Sequence, residues 1–465
     1  MLLDQELEQD RTRCLERLTW AIQELGGIVD LNQLEKMTDL IIQTMTGPWR
    51  FFHTTEHIFE VGKSGDAIEV IAALFHDLVY VQVDQWVNVN ISRYIAPFIQ
   101  EFDRKLQILT VEELPDNPVF TLVTEIFGFR PGQVLQPTAG QNEYLSALTV
   151  AQCFEPILPL PTLAEIVACI EATIPFRPPS PAGKTVGDCL FDRLAQLNQH
   201  FRFGWHHTQI TNAVRRAIRV ANRDVENFAN PIAAEFLDNT WNLMPETNHD
   251  LTNINSYTVY GFRRSLETME RFMQQLQPDR VFQQYRDEPN DSIYHAILQR
   301  TNHNLEVARL YLGCKLLSIG VIEALSLRIG HDTPVATMMG ELPHQGRRSL
   351  VQLEHHLPSV TVPYPLQTNL EQEVLQLLEK GRGQASSYDT KNSPVTTFII
   401  KSIGFTEANR LLVKAKAFFQ GALSAEDFLV SCDRSILEPI TNGVIQVFKS
   451  RQAALREPSI VTQVR

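Results

Sequence analysis

The chain has 465 residues, 44% hydrophobic and 20% charged, with 41 Lys and Arg against 54 Asp and Glu and a formal charge of -13. That length suffices for one large or two to three ordinary domains with a real core, which excludes a disulfide-stapled miniprotein, and the acidic balance disfavours extended nucleic-acid binding. Six scattered cysteines without a CxxC pair, an N-terminus (MLLDQELEQDRTR) lacking a basic start and apolar signal core, and no bilayer-length apolar run together predict a cytoplasmic protein with reduced thiols and no membrane association.

In chain order, apolar residues at helical spacing predict a first helix over roughly 10–25, ending at Gly26-Gly27. A second is predicted over roughly 30–45, with Leu31, Leu34, Met37, Leu40 and Ile41 on its apolar face and a stop before Gly47-Pro48. After Trp49-Arg50-Phe51-Phe52-His53 and His57, the run Asp66 to His76 is apolar over most of its surface and is expected inside the protein. Short helical patterns then alternate with breaks at 130–140, 155–162 and 175–183, and strand-like windows such as Val79 to Val83 are too short and too few for a sheet-based fold. The expected class is therefore all-α.

A composition change near 280–292 marks a joint, followed by a helical pair over 291–330. Surface loop is expected for 331–349 and for the Pro-rich stretch 360–368, and GRGQASSYDTKNSP (381–394) reads as a linker. The last seventy residues return to helical periodicity. This divides the chain into 1–280 with an insertion at about 84–140, a helical and loop connecting region over 281–380, and a C-terminal helical subdomain over 381–465.

The chemistry concentrates in F52-H53-T54-T55-E56-H57 and the later H76-D77. On a helix His53 and His57, four apart, share a face, and a neighbouring His-Asp pair can serve one metal when it sits at a helix end. Such nitrogen and oxygen donors suit a divalent ion: Mn, Mg, Fe, Co or Zn. Taken singly, a histidine beside apolar residues is more often a hydrogen-bonded core residue. An Asp directly after the apolar Ala72-Ala73-Leu74-Phe75-His76 run demands a partner, because a carboxylate in apolar surroundings is costly.

Together these residues resemble the HD superfamily of metal-dependent phosphohydrolases, in particular the group with Tyr-His-x-x-x-His, a hydrophobic run into His-Asp, then Tyr, and later Asn-Glu-x-x-Ser-Ala. The corresponding elements are Phe52-His53 with His57, Ala72 to Asp77, Tyr80, and Asn142-Glu143-Tyr144-Leu145-Ser146-Ala147, and the resemblance spans about 10–280. It implies an HD-type helical bundle in which His57, His76 and Asp77 are metal ligands, with His53 and Glu143 lining the pocket. Two departures stand out. Phe52 replaces the usual tyrosine, and about 65 residues separate the His-Asp pair from Asn142-Glu143, so an insertion must leave and re-enter the bundle.

The resemblance also implies a fourth ligand, an Asp on a later helix. Asp224 fits best, in a helical window with Val220, Val225 and Phe228; Asp188 and Asp192 are rivals, and Asp224 could instead pair with Arg219 or Arg223. His331-Asp332 is set aside because the flanking Gly330 and Thr333-Pro334 mark a loop. Arg215, Arg216 and Arg219 at near-helical spacing could bind phosphate or simply solvate a helix, and His206 or His207 could assist a leaving oxygen or a second metal. Trp241 could close over the pocket or cap the bundle.

The implied reaction is hydrolysis of a phosphomonoester or phosphodiester by a metal-activated water, with a small phosphorylated or nucleotide ligand as partner. Asp77 or Glu143 would relay the proton and His53 would stabilise charge. The chain has no GxxxxGK[ST], GxGxxG after a strand, HExxH or GxSxG motif. Competing readings are an oxygenase-like di-iron centre, a catalytically inactive regulatory or scaffolding protein of the same fold, and a structural protein with merely satisfied histidines. Apolar residues Ile400, Ile403, Leu411, Leu412, Phe418 and Phe419 could support a homo-oligomer or pack within the chain.

Overall fold

The computed structural model describes residues 2–253, 256–340, 352–361 and 363–456. Residues 341–349 of the expected surface loop and Val362 of the Pro-rich stretch lie outside the described residues. Among the described residues there are 21 α-helices and one two-stranded sheet, so the class is all-α. No described helix is long and apolar enough to cross a membrane, and all six cysteines are free. Two units are distinguished, residues 1–229 with 277–300 and residues 230–276 with 301–465, so 230–276 groups with the C-terminal part rather than with the N-terminal region expected from composition.

The first unit opens with α1 (Leu2–Glu24) and α2 (Leu31–Met45). The Asp30 side chain accepts from the Gln33 N–H and so starts α2, which buries Leu34, Met37, Leu40 and Ile41. Leu31, expected on that face, is exposed because the first turn extends beyond the core. Next come α3 (Thr55–Val61) and α4 (Ala67–Phe75). Asp66 caps α4 through the Ile68 and Glu69 N–H groups, and every residue of α4 is buried, as its uninterrupted apolar run requires. The strand-like window Val79 to Val83 instead leads into the short helix Val81–Asp84.

The insertion carries a hairpin of β1 (Ile99–Phe102) and β2 (Lys105–Ile108), paired antiparallel with Ile99 opposite Ile108, and then α5 (Pro118–Phe127). It does not stay outside the bundle: Val119, Leu122, Val123 and Ile126 of α5 are fully buried in the same core as α4. Then follow α6 (Gln141–Phe154), α7 (Leu160–Ala172), α8 (Val186–Phe201) and α9 (His207–Asp224). Helix α7 is central, packing on α4, α6 and most extensively on α9. Its Leu163, Val167 and Ile170 are inaccessible to solvent, each contributing about 1.5–3 kcal/mol of apolar transfer.

The second unit is built on α10 (Ala233–Thr247), α11 (Val259–Gln275), the C-terminal part of α12 (Asp291–Ser326), α13 (Asn369–Lys380), α14 (Pro394–Phe419) and α15 (Arg434–Val447). The stretch 381–394, which composition marks as a linker, sends side chains into its core. Arg382 and Tyr388 are buried, the Tyr388 hydroxyl donates to the Trp241 carbonyl at 2.6 Å, and Asp389 Oδ2 accepts from Lys315 Nζ at 2.6 Å and Trp241 Nε1 at 3.0 Å. Its Gly, Ser and Asp residues shape turns that present these side chains, which composition cannot distinguish from a solvated tether. Trp241 is accordingly a buried core residue, with the Arg382 guanidinium 4.1 Å from its ring centre. The apolar residues considered for assembly are used within the unit: Ile400, Ile403 and Leu411 are buried, and Leu412 and Phe419 lie against Gly313 and Gly320.

Candidate metal centre

Four side chains from three helix ends converge in the first unit. His57 lies in the first turns of α3, His76 caps the C-terminus of α4 with Asp77 following it, and Asp224 is the last residue of α9. His53 precedes α3 rather than sharing its face with His57. The two rings still meet, with centroids 5.7 Å apart, and His53 packs on Tyr80 at 4.5 Å. Because α4 and α9 both end here, their unpaired carbonyls and dipoles bring negative potential to a point that already holds two carboxylates.

The donor atoms of His57, His76, Asp77 and Asp224 all lie within 4.8 Å of one another, a grouping that could hold a metal ion. His57 Nε2 is 3.2 Å from Asp77 Oδ2 and 3.1 Å from Asp224 Oδ1; His76 Nε2 is 2.9 and 3.2 Å from the same two oxygens. Two imidazoles have at most two Nε2 protons for these four contacts. Hydrogen-bond geometry is met only toward Asp224, leaving Asp77 Oδ2 buried without a hydrogen-bond partner. Edges of about 3.0 Å are also what adjacent ligands at about 2.1 Å from one ion produce. His76 Nδ1 lies 2.8 Å from the Ala73 carbonyl; donation there leaves Nε2 as the free lone pair, the usual orientation of a ligating histidine.

The electrostatics follow from this crowding. Burial opposes charge on His57, but its hydrogen bond to Asp224 and the close negative charges of Asp224 and Asp77 prevail and hold the imidazole up at about 9. Burial likewise opposes charge on His76, and the carboxylates lift it well above its ordinary value. Asp77 and Asp224, although largely withdrawn from water, are held below the usual carboxylate range, chiefly by the charge of His76. Without a cation the four groups are thus imidazolium–carboxylate pairs; a divalent ion would replace the protons on the histidines.

Glu143, in the first turn of α6, faces the same cluster. Its Oε2 is buried and unpartnered; burial, then repulsion from Asp77 and Asp224, pushes the carboxyl up to about 7, with Arg177 pulling in the opposite direction. The neighbouring motif residues act on the backbone. Ser146 Oγ accepts from the Val79 N–H at 2.9 Å and Asn142 Oδ1 from the Val81 N–H at 3.2 Å, so α6 fastens the chain leaving His76-Asp77 despite the long insertion between them.

Two further holding groups were not singled out from sequence. The Arg50 side chain, fully buried, donates to the Asp77 carbonyl at 2.8 Å and makes a two-point pair with Asp84 at 2.9 and 2.7 Å. Glu69 on α4 receives Arg219 and Arg223 of α9, each at 2.7 Å, and Arg223 also donates to the Val61 carbonyl at the end of α3. Arg223 therefore ties together the three ligand-bearing helices. The position of Arg50 just before Phe51-Phe52-His53, and of Arg223 beside Asp224, was the available signal. Their partners lie far away in sequence, so composition alone reads both as solvated charges.

The other sequence candidates have different surroundings. Arg215 donates to the Arg286 carbonyl, Arg216 pairs with Asp66 and Glu165, and Arg219 bridges Glu69 and Glu288. His206 and His207 are exposed at the start of α9, with His207 beside Phe191. The structure does not place Arg215, Arg219, His206 or His207 in the donor group, because these residues occupy earlier turns of α9 than Asp224. Asp192 pairs with Lys184 and Asp188 completes the capping box of α8, which leaves Asp224 as the carboxylate that meets the histidines. His331 and Asp332 are exposed in a turn. Comparisons with protein families, curated proteins and solved structures find no match for this chain.

Proposed function

We propose that the chain is an HD-type metal-dependent phosphohydrolase that cleaves a phosphomonoester or phosphodiester, with a nucleotide as substrate class and a reducing, cytoplasmic setting. The observation that carries this reading is the two-imidazole, two-carboxylate set whose donor atoms lie within 4.8 Å of one another, with Asp77 Oδ2 buried and receiving no hydrogen bond, a donor arrangement that a cation completes. Two imidazoles favour Mn, Fe, Co or Zn over Mg, which prefers oxygen. His57, His76, Asp77 and Asp224 would hold the ion. When bound, it supplies Lewis acidity toward a phosphoryl oxygen and lowers the pKa of a water.

The remaining steps belong to the chain. Glu143 Oε2, with its carboxyl near 7, can hold or release one proton at neutral pH beside the donor group. Asp77 is kept ionised and serves as ligand rather than acid. The ring of His53, which lies next to His57 and Tyr80, would stabilise charge on the transferring group. Phe52, whose ring centroid is 5.1 Å from that of His57, contributes an apolar wall in place of a hydroxyl. A retained binding fold without turnover would be favoured by a missing fourth carboxylate; Asp224 supplies it.

The test is to strip the protein with chelator, reload it separately with Mn, Mg, Fe, Co and Zn, and assay p-nitrophenyl phosphate, bis-p-nitrophenyl phosphate and a nucleotide panel. Metal-dependent hydrolysis that disappears in Asp77→Asn is expected. Stoichiometric loading without hydrolysis of any substrate would move the assignment to the regulatory or scaffolding reading.

A further inference from the structure

We infer that the second unit holds a binding site for a branched aliphatic α-amino acid, in a cavity lined by the Lys315–Asp389 ion pair. Lys315, Ile319 and Ile322 recur at helical spacing on one face of α12, and Phe262 and Leu266 do so on α11, so the two helices present a mostly apolar wall to one space. Val335 and Val395 extend that wall. The Ser318 hydroxyl donates to the Lys315 carbonyl at 2.9 Å and lies 2.7 Å from Thr396 Oγ1, which fastens α12 to the first turn of α14. The cavity between these elements has a volume of about 90 Å³.

Two charged groups line this largely apolar space, the Lys315 side chain 7% exposed and that of Asp389 13%. Lys315 Nζ makes one hydrogen bond among the described residues, to Asp389 Oδ2 at 2.6 Å, with the Trp241 and Phe262 ring centres at 5.1 and 6.0 Å. An ammonium carries three donors, so two remain for a ligand. Asp389 Oδ2 also takes Trp241 Nε1 and lies 3.5 Å from Arg382 Nη1, whereas Oδ1 accepts no hydrogen bond among the described residues. Arg382 has a second carboxylate in Asp238 at 3.2 Å, so the group is charge-balanced, and a ligand of net charge would unbalance it at a desolvation cost. A zwitterion adds no net charge. An α-amino acid sets its carboxylate beside its ammonium as the protein sets Lys315 beside Asp389. Its carboxylate can accept from the spare Lys315 donors while its ammonium donates to Asp389 Oδ1. The cavity is smaller than the roughly 150 Å³ apolar cavity that holds benzene, which favours a side chain of about three or four carbons over an aromatic ring.

The test is calorimetric titration of the full chain, with and without chelator. L-Leucine, L-isoleucine and L-valine are the probes, and at least one should bind equally in both states. Isocaproate and isoamylamine, which are leucine without its ammonium and leucine without its carboxylate, should each bind roughly ten- to hundred-fold more weakly than leucine. L-Phenylalanine should bind at least about ten-fold more weakly. Val335→Phe, which places a ring in the cavity, should weaken leucine binding by about ten-fold or more with Mn affinity unchanged. If that variant does not yield folded protein, the ligand series on the wild-type chain carries the test. Failure of all three aliphatic amino acids to bind, equal affinity for leucine and its two truncated analogues, or loss of leucine binding with chelator would each overturn the site. So would undiminished leucine affinity in folded Val335→Phe.

Discussion

Replacing Asp224 with asparagine removes one of the two negative donors while keeping the side-chain shape, so its effect on metal-dependent stability can be calculated in advance. An ion that binds the folded chain alone stabilises it by about 2.7 kcal/mol at a free concentration of 100 times Kd. For a unit of roughly 250 residues, that corresponds to a rise in thermal midpoint of about 5–11 °C. Loss of a supporting group around a metal typically costs 10- to 100-fold in affinity, and loss of a ligand should reach at least the upper end. At the same free metal concentration, a hundred-fold weaker Kd leaves only about 0.4 kcal/mol, or about 1 °C. Asp192→Asn is the control, because Asp192 is 45% exposed and pairs only with Lys184 among the ion pairs described. The assay is scanning calorimetry of chelator-stripped protein titrated with Mn, with metal content measured on the same samples. A full wild-type shift in Asp224→Asn, or an equal loss in Asp192→Asn, would refute the four-ligand assignment.

Metal binding should also release protons. His57 at about 9 and His76 well above its usual value both carry a proton at pH 7 in the metal-free protein, so about two should leave on loading; a binding heat independent of buffer ionisation enthalpy would contradict this. The sign for stability is opposite in the metal-free chain. Raised histidines contribute fully below about 6.5, and that contribution is lost as pH rises through about 9 for His57, so the stabilisation from added metal should grow from pH 6 to 9. Glu69→Gln should cost about 2–4 kcal/mol in urea unfolding and weaken metal binding, since Glu69 is 2% exposed and holds Arg223; the exposed Arg219 contributes less to this figure. An unchanged midpoint and unchanged metal affinity would remove the helix-tying role. Asp389→Asn should destabilise the second unit by about 3 kcal/mol, because the buried Lys315 and Arg382 lose the carboxylate they share. Replacing 381–393 with a Gly-Ser stretch should abolish its cooperative unfolding. Tolerance of that replacement would restore the linker reading.

Local pattern alone determined the all-α class, the second helix and the buried run of α4, and pointed to His57, His76 and Asp77 as a cluster in need of a partner, while the resemblance to the HD superfamily supplied the ligand roles and the expectation of a fourth carboxylate, with Asp224 the best of three candidates. The local readings are legible because helical periodicity and the cost of an unpaired carboxylate after an apolar run act over a few residues. What the tertiary structure decided are matters of partner choice. Asp224 meets the histidines because Arg219 and Arg223 are taken by Glu69, some 150 positions away. The insertion contributes α5 to the core instead of looping away, and Asn142 and Ser146 hold the backbone beyond Asp77 across the same gap. Residues 381–393 look like a tether by composition, yet Arg382, Tyr388 and Asp389 surround Trp241. A charged or turn-forming residue has the same local signature whether it faces water or a distant partner. The difference lies in long-range burial, which no short window of sequence contains.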